Sequence, residues 1–176
     1  MRPSSYLAVV WIAAAVLFAT LPASADVAPA LTNAVALMSK LPSYHMSMTS
    51  PEGAAETDVS NPGKMHTVMK AGEIYIIGPT MYMKISSKWT KFANSGDSDV
   101  LARYHKFASN YTSKDLGMRT VPGGTFHAYA VHDTKHPTVK NTIYLDGSGR
   151  IARIDIDASV VTFSRFGVPV SIQAPM

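Results

Sequence analysis

Short segments separated by turn residues follow one another closely between residues 61 and 84, and this rhythm constrains the fold more than any other sequence feature. The turn residues are Pro62-Gly63, Ala71-Gly72 and Gly78-Pro79. Glycine and proline at such positions let the chain reverse. The last segment alternates methionine or isoleucine with polar residues, in the period of a strand. Segments this short, joined by turns this tight, predict an antiparallel meander over 65–70, 73–77 and 81–86, followed by a short piece over 88–92.

A helix and a further strand are predicted before this meander. Apolar residues at helical spacing would line one face of the helix: Leu31, Ala34, Val35, Met38 and Leu41. Pro29 suits the first turn of such a helix, and Pro42 ends it. From residue 44 to residue 49 the period changes to two, which predicts a half-buried strand.

A second helix is predicted after the meander, where the apolar residues return to helical spacing and form a broad stripe. They are Val100, Leu101, Tyr104, Phe107, Ala108 and Tyr111. Strands resume after Pro122-Gly123-Gly124, over 126–133, 138–146, 150–158, 160–166 and 168–173. Asp146-Gly147 is a strong hairpin signal between two of them.

The sequence therefore predicts an α+β fold, with residues 26–176 in a single domain. A single sheet of about nine twisted strands tends to curl. We expect a curled, mostly antiparallel sheet that forms an unclosed barrel covered by the two helices.

The first 25 residues are predicted to be a secretory signal peptide. Arg2 gives a positive start, residues 7–21 are apolar and uncharged, and Ala23-Ser24-Ala25 supplies the small residues of a cleavage site. An uncleaved membrane anchor is the alternative, but the apolar run is short for a span. We expect a periplasmic or secreted bacterial protein with no transmembrane segment after cleavage. Because the sequence contains no cysteine, it has no disulfide and no thiol for a lipid anchor.

Candidate catalytic and metal-binding residues are few, so we expect neither an enzyme nor a cofactor. His132 and His136 flank a predicted turn, but a metal site needs a third ligand. Asp155 and Asp157 alternate along a strand, which is more typical of a solvated face than of an acid–base pair. The formal net charge of +4 is small and the basic residues are scattered, so nucleic acid is not an expected partner.

Methionines recur on the predicted strands and raise the question of a ligand. They lie at even spacing within each strand, so that each pair shares a face: Met46, Met48, Met65, Met69, Met81 and Met83. Methionine is flexible and polarizable, so it adapts to ligands of varied shape. Either these residues line a cavity for an apolar ligand, or they are ordinary core. The predicted lining also includes Trp89, Leu101, Tyr104 and Phe107, with Trp89 largely buried near the rim of the sheet.

The order of elements, together with three segments, resembles the LolA-like superfamily of secreted half-barrel proteins. The segments are PGKMHTVMKAGEIYIIGPTMYMK with the following KWTKF, then NTIYLDGSGRIARIDI, and finally FSRFGVPVSIQAP. The superfamily includes the lipoprotein carrier LolA, its receptor LolB, mycobacterial lipoproteins of the LppX and LprG type, and the N-terminal domain of RseB. The resemblance covers nearly all of residues 26–176.

The resemblance implies an unclosed antiparallel barrel whose helices form a lid over a hydrophobic cavity. In the carriers this cavity takes acyl chains, so the implied ligand is a lipid or another apolar small molecule. The arginine that helps to hold the lid of LolA shut has no counterpart, since no arginine lies between Arg2 and Arg103. The alternative is a protein-interaction module with a core filled by its own side chains and another envelope protein as partner.

Export with cleavage can be tested by N-terminal sequencing of the protein recovered from the periplasm or medium of an expressing bacterium. The tripartite start predicts Asp26 as the first residue. Recovery of exported protein that still carries Met1 would contradict the prediction.

Overall fold

The computed structural model describes residues 27–94, 111–133 and 139–175. These residues contain one helix, α1 (Pro29–Lys40), and eleven strands. The strands are β1 (Ser43–Ser50), β2 (Gly53–Ser60), β3 (Lys64–Met69), β4 (Gly72–Ile77), β5 (Thr80–Ile85), β6 (Lys88–Ala93), β7 (Tyr111–Val121), β8 (Gly124–Asp133), β9 (Asn141–Leu145), β10 (Ile151–Ile156) and β11 (Ser159–Ser164).

All eleven strands form one antiparallel sheet, in the order β6-β5-β4-β3-β2-β1-β11-β10-β9-β8-β7. Neighbours in the sheet are neighbours in the chain except at the centre, where β1 pairs with β11. The sheet is thus two meanders joined through their first and last strands, with β6 and β7 at its two edges. This architecture confirms the predicted unclosed, antiparallel half-barrel. The second predicted helix lies outside the described residues, except for Tyr111, which is the first residue of β7.

Two strands were not predicted, and both have sequences with weak strand propensity. β2 reads GAAETDVS, in which alanine, acidic residues and glycine outnumber the β-branched residues. β7 contains Asp115 and Gly117, and its pairing with β8 shifts register between them. Both segments are held in strand conformation by a neighbouring strand: β2 pairs with β1 along its whole length, and β7 pairs with β8. Tertiary context here overrides local propensity.

The prediction of a last strand over residues 168–173 is wrong. These residues are described, and they pair with no strand of the sheet. They follow a turn in which the Gly167 N–H donates to the Ser43 carbonyl at 2.8 Å, and the Ser43 hydroxyl donates to the Val168 carbonyl. Ile172 is nevertheless buried, so the segment is held by packing and by these bonds. The alternation of apolar residues correctly predicted that this segment is partly buried, but it wrongly predicted that the segment is a strand of the sheet.

Helix α1 packs on one face of the sheet, which we call the inner face; the opposite side is the outer face. The buried helix residues are Leu31, Ala34, Val35 and Met38, four of the five that the spacing predicted; Leu41 follows the helix and packs against the same cluster. This apolar cluster also contains inner-face residues of β1, β2 and β7–β11, and β10 is the strand with the most contacts to the helix. No residue of β4–β6 belongs to the cluster, so the helix lies away from that end of the sheet.

The contribution of α1 can be measured with two leucines of the same helix. Leu31 is 1% exposed, whereas Leu37 is 42% exposed. Because truncating a buried leucine removes apolar contact and leaves a cavity, Leu31→Ala should lower the free energy of unfolding by about 2–5 kcal/mol. Leu37→Ala, the matched control, should change it by less than about 1 kcal/mol. Equal losses in chemical denaturation would show that the helix does not pack on the sheet through this face.

Candidate functional site

All six predicted methionines lie on the inner face, although they come from three different strands. Paired residues in an antiparallel sheet share a face. The pairing defines three rows across β1–β6: Tyr44, Val59, Met65, Ile76, Met81 and Phe92 in the first, Met46, Thr57, Thr67, Ile74, Met83 and Thr90 in the second, and Met48, Ala55, Met69 and Gly72 in the third. Because of this strand pairing, the three methionine pairs lie on one continuous surface.

In the first and third rows exposure increases from the centre of the sheet towards β6, whereas Ile74 in the second row is only 1% exposed. Met46 is 3% exposed and Met48 is 9% exposed, and both belong to the core beneath α1. Met65 and Met69 are half-buried and pack against that core. Met81 and Met83 are half-buried, and Phe92 at the edge is 37% exposed. We call the half-buried part the methionine surface; it consists of Met65, Met69, Ile76, Met81 and Met83.

Small side chains lie between the methionines in the middle of the sheet. Ala55, Thr57 and Thr67 are all buried. At the end of the third row Gly72 has φ +153°, and a Cβ there would lie 3.0 Å from the Lys84 carbonyl oxygen. A side chain at this position is therefore excluded by sterics and backbone conformation. In the middle of the inner face, short side chains are thus flanked by the long, flexible side chains of the methionines.

The inner face of β1–β6 carries almost no charge, whereas on β7 and β8 it includes Asp115, His127 and Asp133. Burial raises the pKa of the Tyr44 phenol, and burial together with the neighbouring Asp133 carboxylate raises the pKa of Tyr111. Burial and Asp115 likewise raise the pKa of Tyr129. These phenols are uncharged at neutral pH. Among the inner-face positions of β1–β6, only Lys88 carries a charged group, and it lies at the exposed start of the edge strand.

Trp89 lies on the outer face, so the prediction that it shares a lining with the methionines is wrong. Its cross-strand partner is Lys84, whereas Met83 pairs with Thr90. The indole meets the Tyr75 ring edge-on at 5.4 Å between centroids, and Lys84 Nζ lies 5.6 Å from its centroid. It is half-buried, not largely buried, because β6 is an edge strand with a neighbour on one side only.

The outer face of β3–β5 carries ion pairs, in contrast to the inner face of the same strands. Glu73 lies 2.8 Å from His66 Nε2 and 3.7 Å from Lys84 Nζ, and accepts a hydrogen bond from the Tyr75 hydroxyl at 3.0 Å. Burial opposes the charged form of Glu73, but these partners outweigh it and hold its pKa below the usual value. The carboxylate is therefore ionised at neutral pH and ties β3, β4 and β5 together.

A second group of outer-face ion pairs surrounds His45 at the centre of the sheet. Its Nδ1 lies 2.7 Å from Asp58 Oδ1, and its Nε2 lies 2.8 Å from Glu56 Oε2. Arg165 donates to the same Asp58 oxygen at 2.7 Å. These contacts link β1, β2 and the segment after β11, so their role is structural.

The residues considered for metal binding or acid–base chemistry either make structural contacts or lie apart from one another. Within the described ranges no group of three or more His, Cys, Asp or Glu residues could hold a metal ion; His136 lies outside them. Asp155 accepts from the Tyr144 hydroxyl at 3.0 Å and from Arg153 Nε at 2.7 Å. Asp157 accepts from the Lys140 N–H at 3.0 Å. The two carboxylates thus have separate partners, and they do not share a strand, because Asp157 lies in the turn between β10 and β11 with φ +50°.

Three predicted lining residues, Leu101, Tyr104 and Phe107, lie outside the described residues. The strand pairing shows three apolar inner-face residues that were not predicted as lining: Ile74, Ile76 and Phe92. The alternation of Ile74 and Ile76 with Tyr75 was a readable signal for the first two. Thr57 and Thr67 gave no signal, since a threonine in a strand suits either face.

No family model matches the sequence, and no curated protein matches it significantly. Among solved structures, the chain is similar to the Mycobacterium tuberculosis lipoprotein LppX, with a TM-score of 0.63 and 17% identity over 82% of this chain and 97% of that one. It is also similar to LprF from Mycobacterium bovis, with a TM-score of 0.55 and 17% identity over 84% and 95% of the two chains. At this level of identity the similarity concerns the fold alone, and it shows that the chain shares the fold of LppX and LprF.

Proposed function

We propose that this protein is an exported, non-enzymatic binding protein that holds a lipid, an acyl chain or another apolar ligand on the inner face of its half-barrel, as a carrier or sensor. The observation that carries the proposal is the methionine surface, which continues the core but is only half-buried. Apolar area left half-exposed beside a core gains free energy when a ligand covers it, at about 25 cal/mol per Å².

The chemistry of the surface favours a ligand of variable shape. Thioether side chains have three rotatable bonds and re-pack at low cost, whereas branched side chains fit one shape. The near absence of charge on β1–β6 of the inner face favours alkyl chains over ionic groups. Leu101, Tyr104 and Phe107 would add apolar cover from the connection between β6 and β7. The outer face, with its ion pairs, is unsuited to the same ligand.

Export is supported by the sequence and is compatible with the structure. Residues 1–25 have the three parts of a signal peptide. No helix within the described ranges has both the length and the apolar character needed to cross a membrane. LppX, whose fold is similar, is itself a lipoprotein. This chain has no cysteine for such an anchor, so we propose that the released protein acts in the periplasm or medium.

Ligand binding can be tested with an environment-sensitive acyl probe and the mature protein. We expect micromolar or tighter binding. The double variant Met81→Gln, Met83→Gln keeps the side-chain length but adds polar groups that a bound alkyl chain would desolvate, so its affinity should fall about tenfold. Because both methionines are half-buried and outside the main core cluster, stability should fall less.

The control is Val68→Gln, which introduces the same polar group on the outer face of β3, where Val68 is 47% exposed. It should leave probe affinity unchanged. Absence of probe binding to the wild type, or unfolding of the methionine variant without a separate effect on affinity, would contradict the proposal. A clean apo mass in native mass spectrometry would then favour the alternative, an envelope protein-interaction module whose core is filled by its own side chains.

A further inference from the structure

One pair of polar side chains lies in the buried part of the second row, between two apolar residues. Thr57 on β2 and Thr67 on β3 are opposite each other, with Met46 on one side of the pair and Ile74 on the other. Their hydroxyl oxygens are 3.0 Å apart, and each residue is only 5% exposed. Both hydroxyls therefore lie within the inner face, away from bulk water.

The pair has one more hydrogen than it can use. Each hydroxyl has one hydrogen to donate and two lone pairs to accept. When one threonine donates to the other, the hydrogen of the second needs an acceptor elsewhere. Within the described part of the chain, neither hydroxyl has another hydrogen-bond partner. A buried donor without an acceptor is costly and is rare in native proteins, so this hydrogen calls for an explanation.

The surroundings restrict which acceptor would suit the site. Thr57 has Ala55 and Val59 as same-face neighbours on β2, while Thr67 lies between Met65 and Met69 on β3. On the inner face of β1–β6 no cationic side chain is close, since Lys88 is the one charged residue of that surface and lies on the edge strand. A carboxylate here would be desolvated without a partner charge, which is far more costly than burying a neutral carbonyl.

We propose that Thr57 and Thr67 recognise a neutral carbonyl oxygen of the ligand, so that the site takes an acyl ester in preference to a plain hydrocarbon. The surplus hydroxyl hydrogen would donate to the ester carbonyl, and the methionine surface would surround the alkyl chain. The proposal rests on the proposed apolar-ligand function and narrows its ligand class. Because only one hydroxyl hydrogen of the pair remains after the bond between the two threonines, the pair can donate to one ligand carbonyl.

The test is displacement of a bound acyl probe by two ligands with the same number of heavy atoms, dodecyl acetate and hexadecane, each supplied from a methyl-β-cyclodextrin complex. The ratio of ester affinity to hydrocarbon affinity in the wild type is the reference value. In the double variant Thr57→Val, Thr67→Val, ester affinity should fall about threefold to tenfold, while hydrocarbon affinity stays the same or rises. Replacing both partners by apolar groups of the same shape is expected to preserve the fold, which thermal unfolding checks.

The matched control is Thr120→Val, Thr125→Val, because these hydroxyls on β7 and β8 are also 3.0 Å apart but exposed. This variant should bind both ligands like the wild type. An equal loss of affinity for both ligands in the Thr57/Thr67 variant would overturn the inference, and so would unchanged ester affinity in that variant. Either result leaves the proposed function standing, whereas a wild type that binds no acyl probe refutes both.

Discussion

The pairing of β1 with β11 is the interaction on which the rest of the structure depends. It joins the first strand of one meander to the last strand of the other, and it is the one pairing in the described sheet that is not between sequence neighbours. Bringing such distant segments together costs loop-closure entropy, which local hairpins largely avoid. Met46 opposite Phe163 and Met48 opposite Val161 offset that cost by placing buried side chains at the junction, directly in the cluster that α1 completes.

The register at this junction also fixes which chemistry lies on which face. A slip of one residue would exchange the faces of every side chain on the strand. The buried methionines of β1 would then face outward, and His45, with its carboxylate partners Glu56 and Asp58, would face the core. Both errors are expensive, one through lost apolar burial and the other through desolvated charge. Apolar pairs inside and ionic pairs outside thus specify the same register.

Local sequence was enough to predict the parts of the fold that arise from local interactions. Helix α1 and the β3–β5 meander were predicted because their apolar spacing and turn residues lie within a few positions of one another. β2 and β7 were not, since their strands are defined by partners and not by their own propensity. The six methionines could be paired within strands, but only the register shows that all three pairs share one face. Trp89 was misplaced for the same reason, because its parity relative to Met83 depends on where the β5–β6 turn begins.

The half of the sheet that carries the methionine surface needs another source of stability, since α1 packs over the other half. The outer face provides it. His66 stacks on Tyr75 at 4.0 Å between centroids, Tyr75 contacts Trp89 on the edge strand, and Glu73 bonds to residues of β3, β4 and β5. Each cross-strand pair of this kind contributes about 0.2–1 kcal/mol. Because these contacts hold β3–β6 together through the outer face, the methionines on the inner face of those strands can remain half-buried, as the proposed ligand binding would require.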